Sequence, residues 1–187
     1  MVDLSGQFKG IAAKRLSAVE VDPSNSNQHE FQGIQKLKEF LGDCDQKIQC
    51  TTVYLSEDDE SRLVEDGELT WYDARRNQEH RGPEYRLYYR ANNGPIKQAS
   101  PGDTLIYAYR NDETLLLIVI PDESDLKLPV FAMFGLSASV NQTLEIFPSS
   151  SIDLSPSIYH LILEASGLSQ LIQDVDNNEW SAYLDPF

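Results

Sequence analysis

Five of the eight arginines fall between positions 75 and 90, inside the stretch WYDARRNQEHRGPEYRLYYR that spans 71–90. Between 75 and 90 only Glu79 and Glu84 oppose them, so that window is locally +3 in a chain whose net charge is −15. Trp71, Tyr72, Tyr85, Tyr88 and Tyr89 are interleaved with the arginines. A guanidinium presents a planar fork of donors that fits phosphate oxygens and guanine edges, and aromatic rings add flat faces and hydroxyls. The pattern suits nucleic acid; the plainer alternative is a hairpin whose solvated face is basic. Glu84 beside Arg86 suits a cytosine–guanine pair, because a carboxylate accepts from the cytosine amino group. Its alternative is a salt bridge to a neighbouring arginine.

A second polar and basic stretch lies upstream. Lys14 and Arg15 end the first strand candidate, and 21–29, VDPSNSNQH, follows as a loop rich in turn formers. Asn25, Asn27, Gln28 and His29 are side chains that can reach base edges and phosphates, although most such loops are plain connections. If both stretches project from one side of the fold, they form two arms around a duplex. Lys14, Asn25, Asn27, Arg75, Arg76 and Arg90 are then the phosphate contacts, which position without specifying. Arg81 and Arg86 join the base readers.

Other chemistry is thinner. Asp122, Asp125 and Lys127 in PDESDLK resemble the acid–acid–lysine set of metal-dependent nucleases, but they fall within one short segment directly after a strand candidate. That chemistry needs ligands converging from separate strands, so a turn is the expected reading. The acids of 56–68, SEDDESRLVEDGE, lack the spacing and glycine of a calcium loop and read as a solvated linker. There is no hydrolase elbow, zinc-protease, phosphate-loop or dinucleotide motif. His29, His80 and His160 are scattered, and Cys44 and Cys50 make no zinc framework and read as reduced thiols. No cofactor is expected.

The elements that must carry these residues are short. Strand candidates are 8–17, 47–55, 69–74, 85–90, 104–110, 114–120, 130–135 and, more weakly, 143–147. The clearest pair is TLIYAYR and TLLLIVI, joined by Asn111-Asp112-Glu113. Helical spacing marks 32–41, closed by Gly42, and 158–171, broken at Gly167. This is a mainly-β pattern with short helices, and an open, antiparallel-rich barrel is the natural way to hide its edges.

At 187 residues, 41% hydrophobic and 10% aromatic, the chain suits a single domain with a real core. The core is expected over about 8–172, with an acidic aromatic tail at 173–187. No apolar run approaches the ~20 residues of a membrane helix. The start lacks a signal-peptide pattern, so the chain reads as intracellular. A net −15 removes long-range attraction for a polyanion, but charges beyond about 10 Å at 0.1 M salt are largely screened.

Three stretches carry a family resemblance: KRLSA at 14–18 with the polar loop ending in His29, YDARR…PEYRLYYR, and the TLIYAYR/TLLLIVI pair followed by PDESD. Over residues 8–135 the chain resembles the amino-terminal DNA-binding (effector) domain of EcoRII-like restriction endonucleases. That resemblance implies a DNA-binding pseudobarrel, related to plant transcription-factor modules, that grips CCWGG-type sites in the major groove with two arms. It implies Arg15 and His29 as readers from the first arm, and His80, Glu84, Tyr85 and Arg86 from the second. The family pattern favours lysine where this chain has His80 and Tyr85. It further implies a monomeric, non-catalytic module in a bacterial cytoplasm, with double-stranded DNA as partner and cleavage by a separate C-terminal nuclease domain not contained in these residues. The competing expectations are a nuclease using Asp122, Asp125 and Lys127, and an acidic protein-interaction module using the 173–187 tail.

Overall fold

The two apolar runs around Asn111 become the middle of a sheet buried on both faces. In the computed structural model, which describes residues 4–78, 80–136 and 155–171, the elements run β1 (Phe8–Arg15), α1 (Ala18–Val21), β2 (Glu30–Gln32), α2 (Gln35–Leu41), β3 (Gln46–Tyr54), β4 (Leu63–Asp73), β5 (Tyr85–Tyr88), α3 (Gly94–Gln98), β6 (Thr104–Arg110), β7 (Leu115–Ile120), α4 (Lys127–Met133) and α5 (Pro156–Ala165). The strands form one curled sheet in the order β1-β6-β7-β3-β4-β5-β2, a half-barrel with a few short helices. Only β3 and β7 pair in parallel; the other contacts are antiparallel. The mainly-β, open-barrel expectation holds.

Every residue of β7 is buried, which explains an unbroken LLLIVI run where a half-exposed strand would alternate. Leu115, Leu117 and Val119 face the barrel interior with Phe31, Trp71, Leu87 and Tyr107. Leu116, Ile118 and Ile120 face the other way, under Val130, Phe131 and Met133 of α4 and Ile158 and Ile162 of α5. Gly42 (φ 78°) closes α2 and Gly167 (φ 73°) follows α5, each in the left-handed region that glycine enters without strain.

Three expectations need correcting. Residues 130–133 are helical within α4, and Phe134 and Gly135 form the turn that ends it: Leu126, Val130, Phe131, Met133 and Phe134 share one buried side, and Pro129 sits in the first turn, where its missing N–H costs nothing. The acidic linker ends early, because Leu63 to Glu68 belong to β4 and pair with β3. Its acids project from the sheet to named partners: Thr51 Oγ1 donates to Asp66 at 2.8 Å, and Lys47 pairs with Glu68 at 2.9 Å. The polar loop stands over 22–29, but it is flanked by α1 and by the three-residue β2, which takes Gln32 from the expected helix; both are too short for periodicity to register. The strand candidate 143–147 and the 173–187 tail lie outside the described residues. Among the described residues no helix is long and apolar enough to cross a membrane.

Candidate nucleic-acid interface

Alternation along β4, β5 and β2 sets which side chains face outward. Trp71, Leu87 and Phe31 align across the three strands and are buried, so their neighbours Tyr72, Arg86 and Gln32 point to the other side, beside Tyr88 and Glu30. The two arm candidates leave from opposite ends of this strip. Residues 16–29 feed β2 at Glu30, which pairs with Tyr88, and residues 74–84 feed β5 at Tyr85. The three residue steps from Tyr85 to Tyr88 therefore hold the arms' roots ~10 Å apart at about 3.3 Å per step.

The second arm is tied at its base. Asp73 accepts backbone N–H groups from Arg75 (2.9 Å) and Glu84 (2.8 Å), and Ala74 N–H donates to Glu84 O at 2.9 Å. Glu84 lies between two arginines, pairing with Arg75 through one oxygen and Arg86 through the other. The hydrogen bond from Arg86, with the charges of Arg86, Arg75 and Arg81, holds its carboxyl below the usual range despite partial burial. The salt-bridge alternative for Glu84 is thus the arrangement seen, and its oxygens face guanidiniums in this state. Arg76 pairs with Asp45 and lies 5.8 Å over the Tyr72 ring. Tyr72 O–H donates to Glu30, and burial with that bond pushes its phenol up to about 12. His80 and Arg81 are exposed at the outermost part, and Arg81 has no ion pair among the described residues.

Tyr85 is not the free reader expected. Its ring stacks on Trp71 at 5.0 Å and 14°, its hydroxyl donates to Asp43 O at 2.8 Å, and Lys38 Nζ sits 5.2 Å from its centroid. The cause is strand parity, since Tyr85 falls on the same side as Leu87.

The first arm also departs from expectation. Lys14 turns inward to Glu20, with Nζ 2.5 Å from a carboxylate whose side chain is 1% exposed, so it is withdrawn as a phosphate contact. Arg15 donates to Gly102 O (3.2 Å) and pairs with Asp122 (2.5 Å), which directs it toward the turn after β7. Its head is half exposed, and such a surface pair contributes about 0–1 kcal/mol, so exchange for another anion is cheap. The amide of Asn25 is used within its own turn, donating to Asp22 at 2.5 Å, whereas Asn27 is exposed. His29 has φ 54°, its ring meets Tyr89 edge-on at 5.7 Å, and its carbonyl accepts Tyr89 N–H at 2.9 Å. Arg90 is exposed beyond β5, at the first-arm end of the strip, without an ion pair among the described residues.

Folding changes the electrostatics most. The +3 window acquires Asp45 against Arg76, Glu30 against Tyr72 and Asp43 beside Tyr85. Sequence reasoning missed these acids, and also Gln32, Lys38 and Tyr72 as neighbours of Arg86, because only strand pairing and the turn before β3 bring them there.

Asp122 faces two cations. Arg15 and Lys127 both pair with it, and Lys127 Nζ also donates to its backbone carbonyl at 2.6 Å. The hydrogen bond and charge of Lys127, with Arg15, hold its carboxyl low against partial burial. PDESDLK is therefore a self-locked turn leading into α4, as expected. No group of three or more possible metal ligands occurs among the described residues. Cys44 is exposed and Cys50 buried, both as free thiols, and burial pushes Cys50 up to about 11. No protein-family model matches the chain, and no curated protein matches it.

Proposed function

We propose that this chain is a sequence-specific double-stranded DNA-binding module, reading a CCWGG-type site in the major groove as the effector domain of a restriction endonuclease whose cutting is done by a separate nuclease domain. The observation that carries the reading is the placement of two polar arms at opposite ends of the β2/β5 strip, with roots ~10 Å apart, on the scale of a B-form major groove about 12 Å wide. The curled half-barrel and the family resemblance of residues 8–135 agree with it. Arg15, His29, His80, Arg81, Glu84 and Arg86 remain the proposed base readers, and Asn27, Arg75, Arg76 and Arg90 the phosphate contacts. Tyr85 acts instead by holding the arm's root on Trp71.

The neutralised arginine window shapes this reading. Loose attraction to any duplex is weak when Asp43, Asp45 and Glu30 lie close by, and discrimination then rests on Arg86 and Glu84 exchanging each other for base edges. The test is a competition titration of CCWGG duplex against a scrambled duplex, without magnesium, at two salt concentrations. A strong cognate preference that falls with salt supports the reading. Equal binding of both duplexes rejects the CCWGG site, and no binding of either favours a protein-interaction role.

A further inference from the structure

A cleft of about 460 Å³ opens between the returning limb of the second arm and the start of α2. Gln32, Gln35, Lys38, Glu84 and Arg86 supply its polar groups. It lies where the sheet runs out: Gln32 is the last residue of β2, and beyond it Gly33 N–H donates to Tyr85 O at 2.9 Å. Gly33 permits that approach, because a Cβ there would lie 2.5 Å from the same oxygen.

The cleft is rich in donors. Its one carboxylate, Glu84, is engaged by Arg75 and Arg86. Arg86 Nε is buried and has no hydrogen-bond partner among the described residues. Gln32 and Gln35 are exposed, each with an amide that can donate. Lys38 Nζ is held at the mouth by Asp43 at 2.9 Å and by the face of Tyr85. The hydrogen bond it donates to the Asp43 carboxylate raises its pKa and keeps the ammonium charged. An ammonium and two amides around a water-accessible cleft suit an anion with several acceptor oxygens.

We propose that this cleft seats a backbone phosphate of the bound duplex, with Lys38 as the charged contact and Gln35 and Gln32 as neutral donors. The inference rests on the DNA-binding reading and extends it, since Glu84 and Arg86 are both proposed base readers and part of the cleft wall. A phosphate held here fixes the strand beside Arg86, and Lys38 contributes affinity without sequence preference.

The test uses fluorescence-anisotropy titrations of the 187-residue chain with cognate and scrambled duplexes across a salt series. Lys38→Gln should weaken both duplexes by a similar factor and flatten the dependence of log K on log salt by about 0.9, one phosphate contact's worth. Gln35→Ala should weaken both without changing the slope. Asp43→Asn keeps the backbone carbonyl that Tyr85 needs but frees Lys38 from its acid, so it should strengthen both. If the Lys38–Asp43 pair serves only to hold the fold, Asp43→Asn weakens binding alongside Lys38→Gln, and the inference is overturned. An unchanged salt slope in Lys38→Gln overturns it too, while leaving the DNA-binding reading intact. Failure of the unsubstituted chain to bind either duplex rejects that reading, and this inference with it.

Discussion

Lys14 Nζ lies 2.5 Å from the Glu20 carboxylate oxygen that also accepts the backbone N–H of Gln32, so Glu20 links the end of β1 to β2 at the opposite edge of the sheet. Glu20 also accepts from Ser17 N–H (2.9 Å), Ser17 Oγ (2.8 Å) and the backbone N–H of Gln32 (2.7 Å), while Tyr89 O–H donates to its carbonyl at 2.6 Å. One buried carboxylate thus satisfies groups from β1, the cap of α1 and β2, where the half-barrel comes nearest to closing. Its burial is tolerable because the charge is paired and its oxygens are hydrogen-bonded.

Glu20→Ala should destabilise the fold by about 3–5 kcal/mol, the range for leaving one member of a buried pair unmatched. Lys14→Met should cost less, since the carboxylate keeps three other donors. Urea unfolding midpoints measure both, and a Glu20→Ala change under ~1 kcal/mol would falsify this role. Burial pushes the Glu20 carboxyl up, but hydrogen bonds from Lys14, Ser17 and Gln32 and the Lys14 charge outweigh it and hold it below 4.5. A folded-state pKa below the unfolded one means stability that is present above about pH 4.5 and is lost as pH falls through the folded value. Unfolding at fixed urea followed from pH 7 to 3 should show that loss, and Glu20→Gln should flatten it.

Arg86 and Arg81 should separate specificity from affinity. Arg86→Ala is expected to cost ~1–3 kcal/mol on the cognate duplex and little on a scrambled one, if its fork reads guanine. Arg81→Ala removes an exposed cation with no ion pair among the described residues, so stability should change by less than about 0.5 kcal/mol. Its DNA affinity loss, measured by mobility shift, tells which role Arg81 holds. A uniform loss marks a phosphate contact, and a cognate-only loss marks a base reader. Full discrimination retained by Arg86→Ala removes it from the readers.

The two cysteines should report folding independently of function. Cys44 is exposed in the turn before β3, whereas Cys50 is buried with its thiol at about 11. A thiol reagent at pH 7–8 should label Cys44 rapidly in the native chain and Cys50 only after unfolding, because the thiolate is the reacting form. Mass spectrometry of peptides counts each label, and prompt labelling of Cys50 in the native state contradicts its place inside the barrel.

Much of the scaffold could be read directly. Thr104–Arg110 is the strand expected, and β7 begins one residue inside its expected start. Gly167 breaks the late helix as expected. Val130 to Gly135 misled because a short apolar run has no period of its own; a pocket under β6 and β7 chose helix. Leu63 to Glu68 misled because charged residues suit a loop or the solvent face of a strand equally, and pairing with β3 decided it.

By itself the sequence determined strand alternation, turns and helix stops, since these arise from backbone sterics and hydrophobic period within a few residues. It also determined that the arginines cluster and that Asp122 and Lys127 share one turn. Only the tertiary structure decided which charges remain available. It sent Lys14 to Glu20, Arg15 to Asp122 and Arg76 to Asp45, and set Glu84 between Arg75 and Arg86. Coulomb pairing depends on distance through space: Arg15 and Asp122, or Arg76 and Asp45, meet only when distant segments fold together, and even for neighbours such as Glu84 and Arg86 the backbone path decides which partner each charge faces.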